Sequence, residues 1–221
     1  MLFGFTTAAL GQVAIFTESF GINGNETLVG DFTGFDNAGS ATYAGIDADP
    51  DIANSPKLRE PGGSLGTYPG ASGGNYVLLL GDGEGFFIGG IDKTGYGSFY
   101  VEFGGFEGVV GQAGFGDDIF EVEYSTDATG PSDGTWTNLS FDAAEPITNN
   151  WQNDVLVTSS MTESASAISL RFISDVGDVG RPGDALRIDD VTVVGVPEPS
   201  TFALVAGLLG LSLGLLRRRR S

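Results

Sequence analysis

The sequence predicts an all-β chain: a jelly-roll sandwich of two antiparallel sheets, followed by a single C-terminal transmembrane helix. Three observations predict it. Glycine is abundant, 36 of 221 residues, and interrupts the chain every few positions. Between the glycines lie short runs rich in Val, Ile, Phe and Tyr, several alternating with the period of two that a half-buried strand requires. Before the C-terminal segment no stretch carries apolar residues at the spacing of an amphipathic helix. Many short strands with frequent turn signals indicate a sandwich or barrel. No repeat period is evident, which disfavours propellers and solenoids.

In order, strands are expected at Val13 to Phe20 and Thr27 to Thr33. Pro50 to Gly74, with Pro56, Pro61, Gly62, Gly63, Gly73 and Gly74, reads as a long surface loop. Tyr76 to Leu80 is an apolar strand, and Gly81 to Gly85 reads as a hairpin turn into a short strand at Phe86 to Ile88. A phosphate cradle at those glycines would need a following helix, and a strand follows instead. Ser98 to Phe103 puts Phe99, Val101 and Phe103 on one face; Asp118 to Ser125 does the same with Phe120, Val122 and Tyr124. Strands at Trp136 to Phe141, Asp154 to Thr158, Ala167 to Ile173 and Leu186 to Val194 complete the set. Gly114 to Phe120 has the form of one copy of a calcium-binding glycine-rich repeat, but a single copy builds no β-roll.

Composition excludes several chemistries. The chain has 29 acidic and 10 basic residues, a formal charge of −19, and four of its cations are Arg217 to Arg220. Such a charge argues against nucleic acid as a partner and favours solubility and divalent cations. There is no Cys, hence no disulfide framework or thiolate chemistry, and no His, the commonest general base and metal ligand. A zinc enzyme or Ser-His-Asp hydrolase is excluded on that ground.

The two ends point to export. Residues 1–14 are mildly apolar, and Ala9-Leu10-Gly11 fits a small-x-small cleavage pattern, so this stretch reads as the remnant of a signal peptide although it lacks a basic start. Residues 15–195 form the sandwich domain, and residues 196–221 a tail of three parts. Pro197 and Pro199 bracket Glu198 in an extended, accessible joint. Residues 202–216 are apolar apart from Ser212; with Ser200 and Thr201 they would span roughly 25 Å as a helix, the lower limit for crossing a membrane. Arg217, Arg218, Arg219 and Arg220 form a cytoplasmic stop, which places the domain outside. A buried core helix is the alternative, and such helices rarely end in four arginines.

This order of Pro-Glu-Pro, apolar span and arginine cluster resembles the PEP-CTERM sorting signal of exopolysaccharide-making Gram-negative bacteria. The match is carried by Pro197, Glu198 and Pro199 and the segment to Arg220. The resemblance implies recognition by an exosortase, transient anchoring in the inner membrane, removal of the tail, and a final place at the cell surface or in the extracellular matrix.

Within the domain, the last strand changes parity. Leu186 and Ile188 share one phase and Val191 and Val193 the other, so a β-bulge is expected at Asp189-Asp190. Glu18 is in phase with Phe16 and Phe20, on the expected core face, where a carboxylate needs a cation or strong donors. Glu18, Asp189 and Asp190 are therefore candidate ligands of one structural Ca²⁺. The alternative is that Glu18 pairs with Arg187 or Arg171 and the Asp pair faces solvent. The Glu-Ser-Phe opening and the Ile-Asp-Asp-Val closing strand resemble those of jelly-roll carbohydrate-binding modules, where the pairing implies a structural Ca²⁺. Tyr43, Tyr68, Tyr96, Trp136 and Trp151 lie in or near expected loops and are candidates for stacking on sugar. Filling the core is an equal alternative for the two Trp residues.

The expected role is a non-catalytic, exported surface or matrix protein that contacts exopolysaccharide. The rivals are a secreted glycan hydrolase or lyase using paired acids or a tyrosine, and a calcium-stiffened spacer.

Overall fold

In the computed structural model, the structure describes residues 11–23, 26–47, 56–60, 71–80, 83–107, 120–140, 156–158, 160–174 and 186–197. The described strands are β1 (Val13–Glu18), β2 (Thr27–Leu28), β3 (Thr42–Ile46), β4 (Lys57–Arg59), β5 (Tyr76–Leu79), β6 (Gly85–Asp92), β7 (Tyr96–Glu107), β8 (Phe120–Ser125), β9 (Thr137–Asn138), β10 (Leu156–Val157), β11 (Met161–Thr162), β12 (Ala167–Ser174) and β13 (Leu186–Pro197). All described pairings are antiparallel. Eight strands form the larger sheet, in the order β10-β7-β13-β5-β4-β2 with β1 on β13 and β11 on β7; the smaller sheet runs β3-β6-β12-β8-β9. The chain passes repeatedly from one sheet to the other, the wrapping of a two-sheet roll.

The expected alternation holds. Phe99, Val101 and Phe103 of β7 and Phe120 and Val122 of β8 are fully buried, with Tyr124 close behind. They meet Phe86 and Phe172, whose rings stack at 4.6 Å, while Phe103 packs edge-on against Phe172 at 5.6 Å. Phenylalanine is the dominant filler, and burying each such ring contributes roughly 1.5–3 kcal/mol.

β13 is the spine of the larger sheet. β7 borders it along its length; its other edge is taken by β5 up to Ile188 and by β1 from Val191. The bulge sits at this changeover. Asp189 faces Gly104 and Thr192 faces Glu102, three steps on β13 against two on β7. Asp190 absorbs the extra residue with φ +49°. The parity change expected at Asp189-Asp190 is therefore a bulge, and the first and last strands do pair.

Several expectations fail. The stretch from Pro50 to Gly74 is not all loop: Lys57–Arg59 form β4 between β2 and β5, with Leu58 fully buried. Three residues are too few to show a period. Only Thr27–Leu28 of the second expected strand are extended in the sheet; Val29–Asp31 form a 3₁₀ turn. β3 and β11 were not expected. Gly81 to Gly85 is not a hairpin, because β5 and β6 belong to different sheets. β1 takes in Val13 and Ala14 from the expected leader, and β13 continues through Val196 and Pro197 of the expected tail, opposite Ser98 and Tyr96. Glu198, Pro199, the apolar run 202–216 and Arg217 to Arg220 lie outside the described residues. Among the described residues no helix is long and apolar enough to cross a membrane.

Candidate functional site

Glu18 ends β1 with its side chain on the core face, 1 % exposed. Oε1 accepts from the backbone N–H of Phe20 at 2.9 Å and of Asp36 at 3.0 Å. Oε2 accepts from the N–H and the Nδ2 of Asn37, each at 3.2 Å, and from the Tyr43 hydroxyl. Five donors thus surround one carboxylate. Neither Arg171 nor Arg187 is among them. Burial, together with the bond to Glu18, holds the Tyr43 hydroxyl well above the usual phenol range, so it stays a donor. The Tyr43 ring stacks on Phe35 at 3.9 Å. This cradle ties β1 to the segment before β3 and explains how a core-facing carboxylate is tolerated.

The cradle does not fit a shared calcium site. Calcium needs oxygen ligands with free lone pairs, whereas Glu18 meets N–H and O–H donors that oppose a cation. Among the described residues no three His, Cys, Asp or Glu side chains stand close enough to hold a metal ion. Asp189 and Asp190 remain a pair of neighbours. Asp189 is 6 % exposed. Burial, and then the charge of Asp190, push its carboxyl up to about 8. Asp190 is half-buried, and its Oδ2 accepts from the Ser72 N–H at 2.8 Å.

Ser72 leads to a feature that the sequence reading did not single out. A pocket of about 270 Å³ is lined by Ile22, Asn23, Glu60, Gly73, Gly74 and Asn75. Its walls are two turns fastened together. The Asn75 N–H donates to Gly21 O and its Nδ2 to Phe20 O, both at 2.9 Å. Gly74 lies so close to this turn that a Cβ there would sit 2.6 Å from the carbonyl oxygens of Ser19 and Gly21. The facing turn is strained: Phe20, Asn23 and Glu26 all have φ near +60°, alongside Gly21 at +64°. Left-handed backbone at bulky or charged residues persists only where the surroundings enforce it, and it gathers at ligand sites. Ile22 is 69 % exposed at the rim. The signal in the sequence was Gly21-Ile22-Asn23 and Gly73-Gly74-Asn75, which read only as two turns.

Two of the stacking candidates, Tyr68 and Trp151, lie outside the described residues. Trp136 is half-buried and anchors its own loop. The Arg171 guanidinium lies 4.4 Å from its ring centre, its Nε1 donates to Asp133 O at 2.8 Å, and its edge meets Phe87. Tyr96 is half-buried, with its ring against Gly195.

No family model matches the chain, and no curated protein matches it. Solved structures do show likeness. The C-terminal CBM6 of LamC, a marine laminarinase of Zobellia galactanivorans, is 16 % identical over 69 % of this chain and 98 % of its own, with TM-score 0.37. The K3 cleaved adhesin domain of Lys-gingipain from Porphyromonas gingivalis is 14 % identical over 83 % of this chain and 99 % of its own, at TM-score 0.46. A carbohydrate esterase of the Shiga toxin-encoding bacteriophage phi24B is 10 % identical over 84 % of this chain and 99 % of its own, at TM-score 0.42. A binding module, an adhesin domain and an esterase share this likeness, so it names no ligand and no activity.

Proposed function

We propose that the chain is a non-catalytic, exported surface or matrix protein whose sandwich contacts polysaccharide through the pocket between Asn23 and Asn75. The pocket carries the reading. Its volume, about 270 Å³, is monosaccharide-sized. Asn23 and Glu60 supply an amide and a carboxylate of the kind that bind hydroxyl pairs, Ile22 supplies an apolar contact for C–H faces, two glycines let a ring approach the backbone, and buried Asn75 holds the two walls together. Among its described lining residues Glu60 is the one carboxylate, which favours binding over the paired-acid chemistry of glycoside hydrolysis. The absence of His and Cys agrees with a binding role.

Delivery belongs to the C-terminal segment. Pro197, Glu198 and Pro199, the apolar run and the four arginines would hold the chain in the inner membrane until an exosortase cuts it and leaves the domain in exopolysaccharide. Strand β13 ending at Pro197 is consistent with this, since the first proline of the motif is the last described residue of the sheet.

Pull-down of the full chain on a panel of matrix polysaccharides tests the contact. Retention that falls about tenfold in Asn23→Ala and Glu60→Gln is expected, the loss of one or two good hydrogen bonds. No retention on any polymer removes the glycan contact. Intact mass of the secreted form from its host tests the sorting; a product that keeps Arg217 to Arg220 removes the exosortase.

A further inference from the structure

Outside its terminal cluster the chain has only six basic residues, and three of them, Lys57, Arg59 and Arg187, lie on one face. They project from the outer face of the larger sheet. Lys57 and Arg187 both face Leu78, and Arg59 faces Tyr76, all on the opposite side from the core residues Leu58, Val77 and Ile188. Tyr76, Leu78 and Phe106 form a separate apolar cluster there. The Arg187 guanidinium lies 4.2 Å from the Phe106 ring centre and 6.0 Å from that of Tyr76.

What sets this face apart is unmet donor capacity. Glu26 pairs with Lys57 and with Arg59, each at 2.7 Å. Nε and Nη1 of Arg187 are shut off from solvent without any acceptor, and Nε of Arg59 is in the same state. Burial holds the Arg187 guanidinium below its usual range although attraction to Tyr76 and a hydrogen bond with it work against the shift; the Arg59 charge adds to the lowering, so two cations repel across this face. Buried N–H donors lacking acceptors are costly, and native structures rarely leave such groups without a role. An oxyanion at the accessible ends of the two guanidinium groups would relieve the repulsion, and a small turn of either side chain would bring the open N–H groups onto it. Access exists: the Arg59 side chain is 40 % exposed, and Arg187 is half-buried.

We infer that Arg187 and Arg59 bind the oxyanion of an acidic sugar. The sugar class rests on the glycan reading above, because the arginine pair adjoins the pocket: Arg59 precedes Glu60, Tyr76 follows Asn75, and Arg59 and Tyr76 are cross-strand partners. A sugar ring in the pocket would present a carboxylate or sulfate substituent toward them. Asp189, which also lies on the outer face of β13, adds little opposing charge at neutral pH, since burial keeps its carboxyl largely protonated. A general polyanion is disfavoured by the charge of −19; a glycan with spaced acidic groups is not.

Titration calorimetry on the full chain at low salt tests this, with oligogalacturonate, a sulfated galactan oligomer, a neutral galactan oligomer and oligoglutamate as probes. The carboxylated or the sulfated oligomer should bind about tenfold more tightly than the neutral one, the strength of a charge-assisted hydrogen bond. Which of the two binds names the oxyanion. Arg187→Gln and Arg59→Gln should each erase the preference and leave neutral binding as it was. Should Arg187→Gln fail to fold, Arg59→Gln carries the test, with the rise in melting temperature on adding the acidic oligomer as second readout. An acidic preference that survives both substitutions overturns the inference. So do equal affinities for acidic and neutral oligomers, or oligoglutamate binding as tightly through the same arginines. If neutral oligomers bind and lose affinity in Asn23→Ala without any acidic preference, only this inference falls. If no saccharide binds, the glycan reading falls with it.

Discussion

Each sheet of the sandwich carries an arginine on its outer face against an aromatic ring, and the two are in opposite states. Arg171, on the smaller sheet, is well partnered, with its side chain only 22 % exposed. Its Nε meets the Glu123 carboxylate on the neighbouring strand, its Nη1 donates to Pro131 O at 3.2 Å, and Trp136 covers it. The 126–136 loop folds over that face, helped by a 3.0 Å bond from Ser169 Oγ to Ala128 O, and buries Phe87 beneath. Arg187, on the larger sheet, has its rings and a hydrogen bond with Tyr76, but its Nε and Nη1 meet no acceptor. Its strand neighbour Asp189 accepts from the Asp190 N–H at 2.9 Å but has no cationic partner, and among the described residues no ion pair joins the two. The difference teaches where to look for function. A face whose polar groups are all answered is finished structure; a face with open donors and a strained bulge is one that the fold alone does not explain.

The largest effect separating the two faces should come from pH. The ordinary Asp value in an unfolded chain is about 3.9, whereas Asp189 in the fold is pushed to about 8. A folded value above the unfolded one means that the stabilising contribution is fully present below about pH 4 and is lost as pH rises through about 8. At 1.36 kcal/mol per unit the loss is about 6 kcal/mol at most, less as water reaches the pair. Urea midpoints across that window should fall more steeply for the native chain than for Asp189→Asn. Parallel profiles would mean that the larger sheet's outer face holds no uncompensated acid.

The closed face should respond next. Trp136→Ala removes the cover from Arg171 and Phe87 and should cost about 3 kcal/mol, the low end for a Trp truncation because the ring is only half-buried. Glu123→Gln leaves the Arg171 guanidinium without its counter-charge and should cost about 2 kcal/mol, below the range for fully buried pairs. Denaturant unfolding reads both. Losses below 0.5 kcal/mol, the size of an ordinary surface change, would make the Arg171 cluster decoration rather than structure.

How much of this was legible beforehand differs by region for physical reasons. Strand period showed the core: Phe99, Val101 and Phe103 could hardly point anywhere else. The parity slip between Ile188 and Val191 disclosed the bulge, because a period of two leaves no other way to keep both residues inside. Glu18 was rightly placed inward, but its partners were not recoverable. They are backbone amides of Phe20, Asp36 and Asn37, and amides carry no signature in a sequence. The arginines offered as partners, Arg187 and Arg171, pack against the outer faces of the two sheets instead. The pocket was hidden for a related reason: its shape depends on left-handed φ at Phe20 and Glu26, residue types that give no warning of it.

The smallest expected effect is the one that tests the comparison most directly. Arg187→Met replaces a guanidinium with two unanswered nitrogens by an apolar side chain of similar length, among Tyr76, Leu78 and Phe106. Replacing buried charge by well-packed apolar groups is often neutral or stabilising. The variant should therefore match the native chain within about 1 kcal/mol, and any change should be a gain. Arg171→Met should instead lose about 2 kcal/mol, because it strands Glu123 and uncovers the Trp136 ring. The two substitutions are chemically identical and both replace an arginine on the outer face of a sheet. If they cost the same, the faces do not differ in the way their hydrogen bonds indicate, and the open donors of Arg187 have found a structural partner of their own. If Arg187→Met costs nothing, the guanidinium is there for something other than folding.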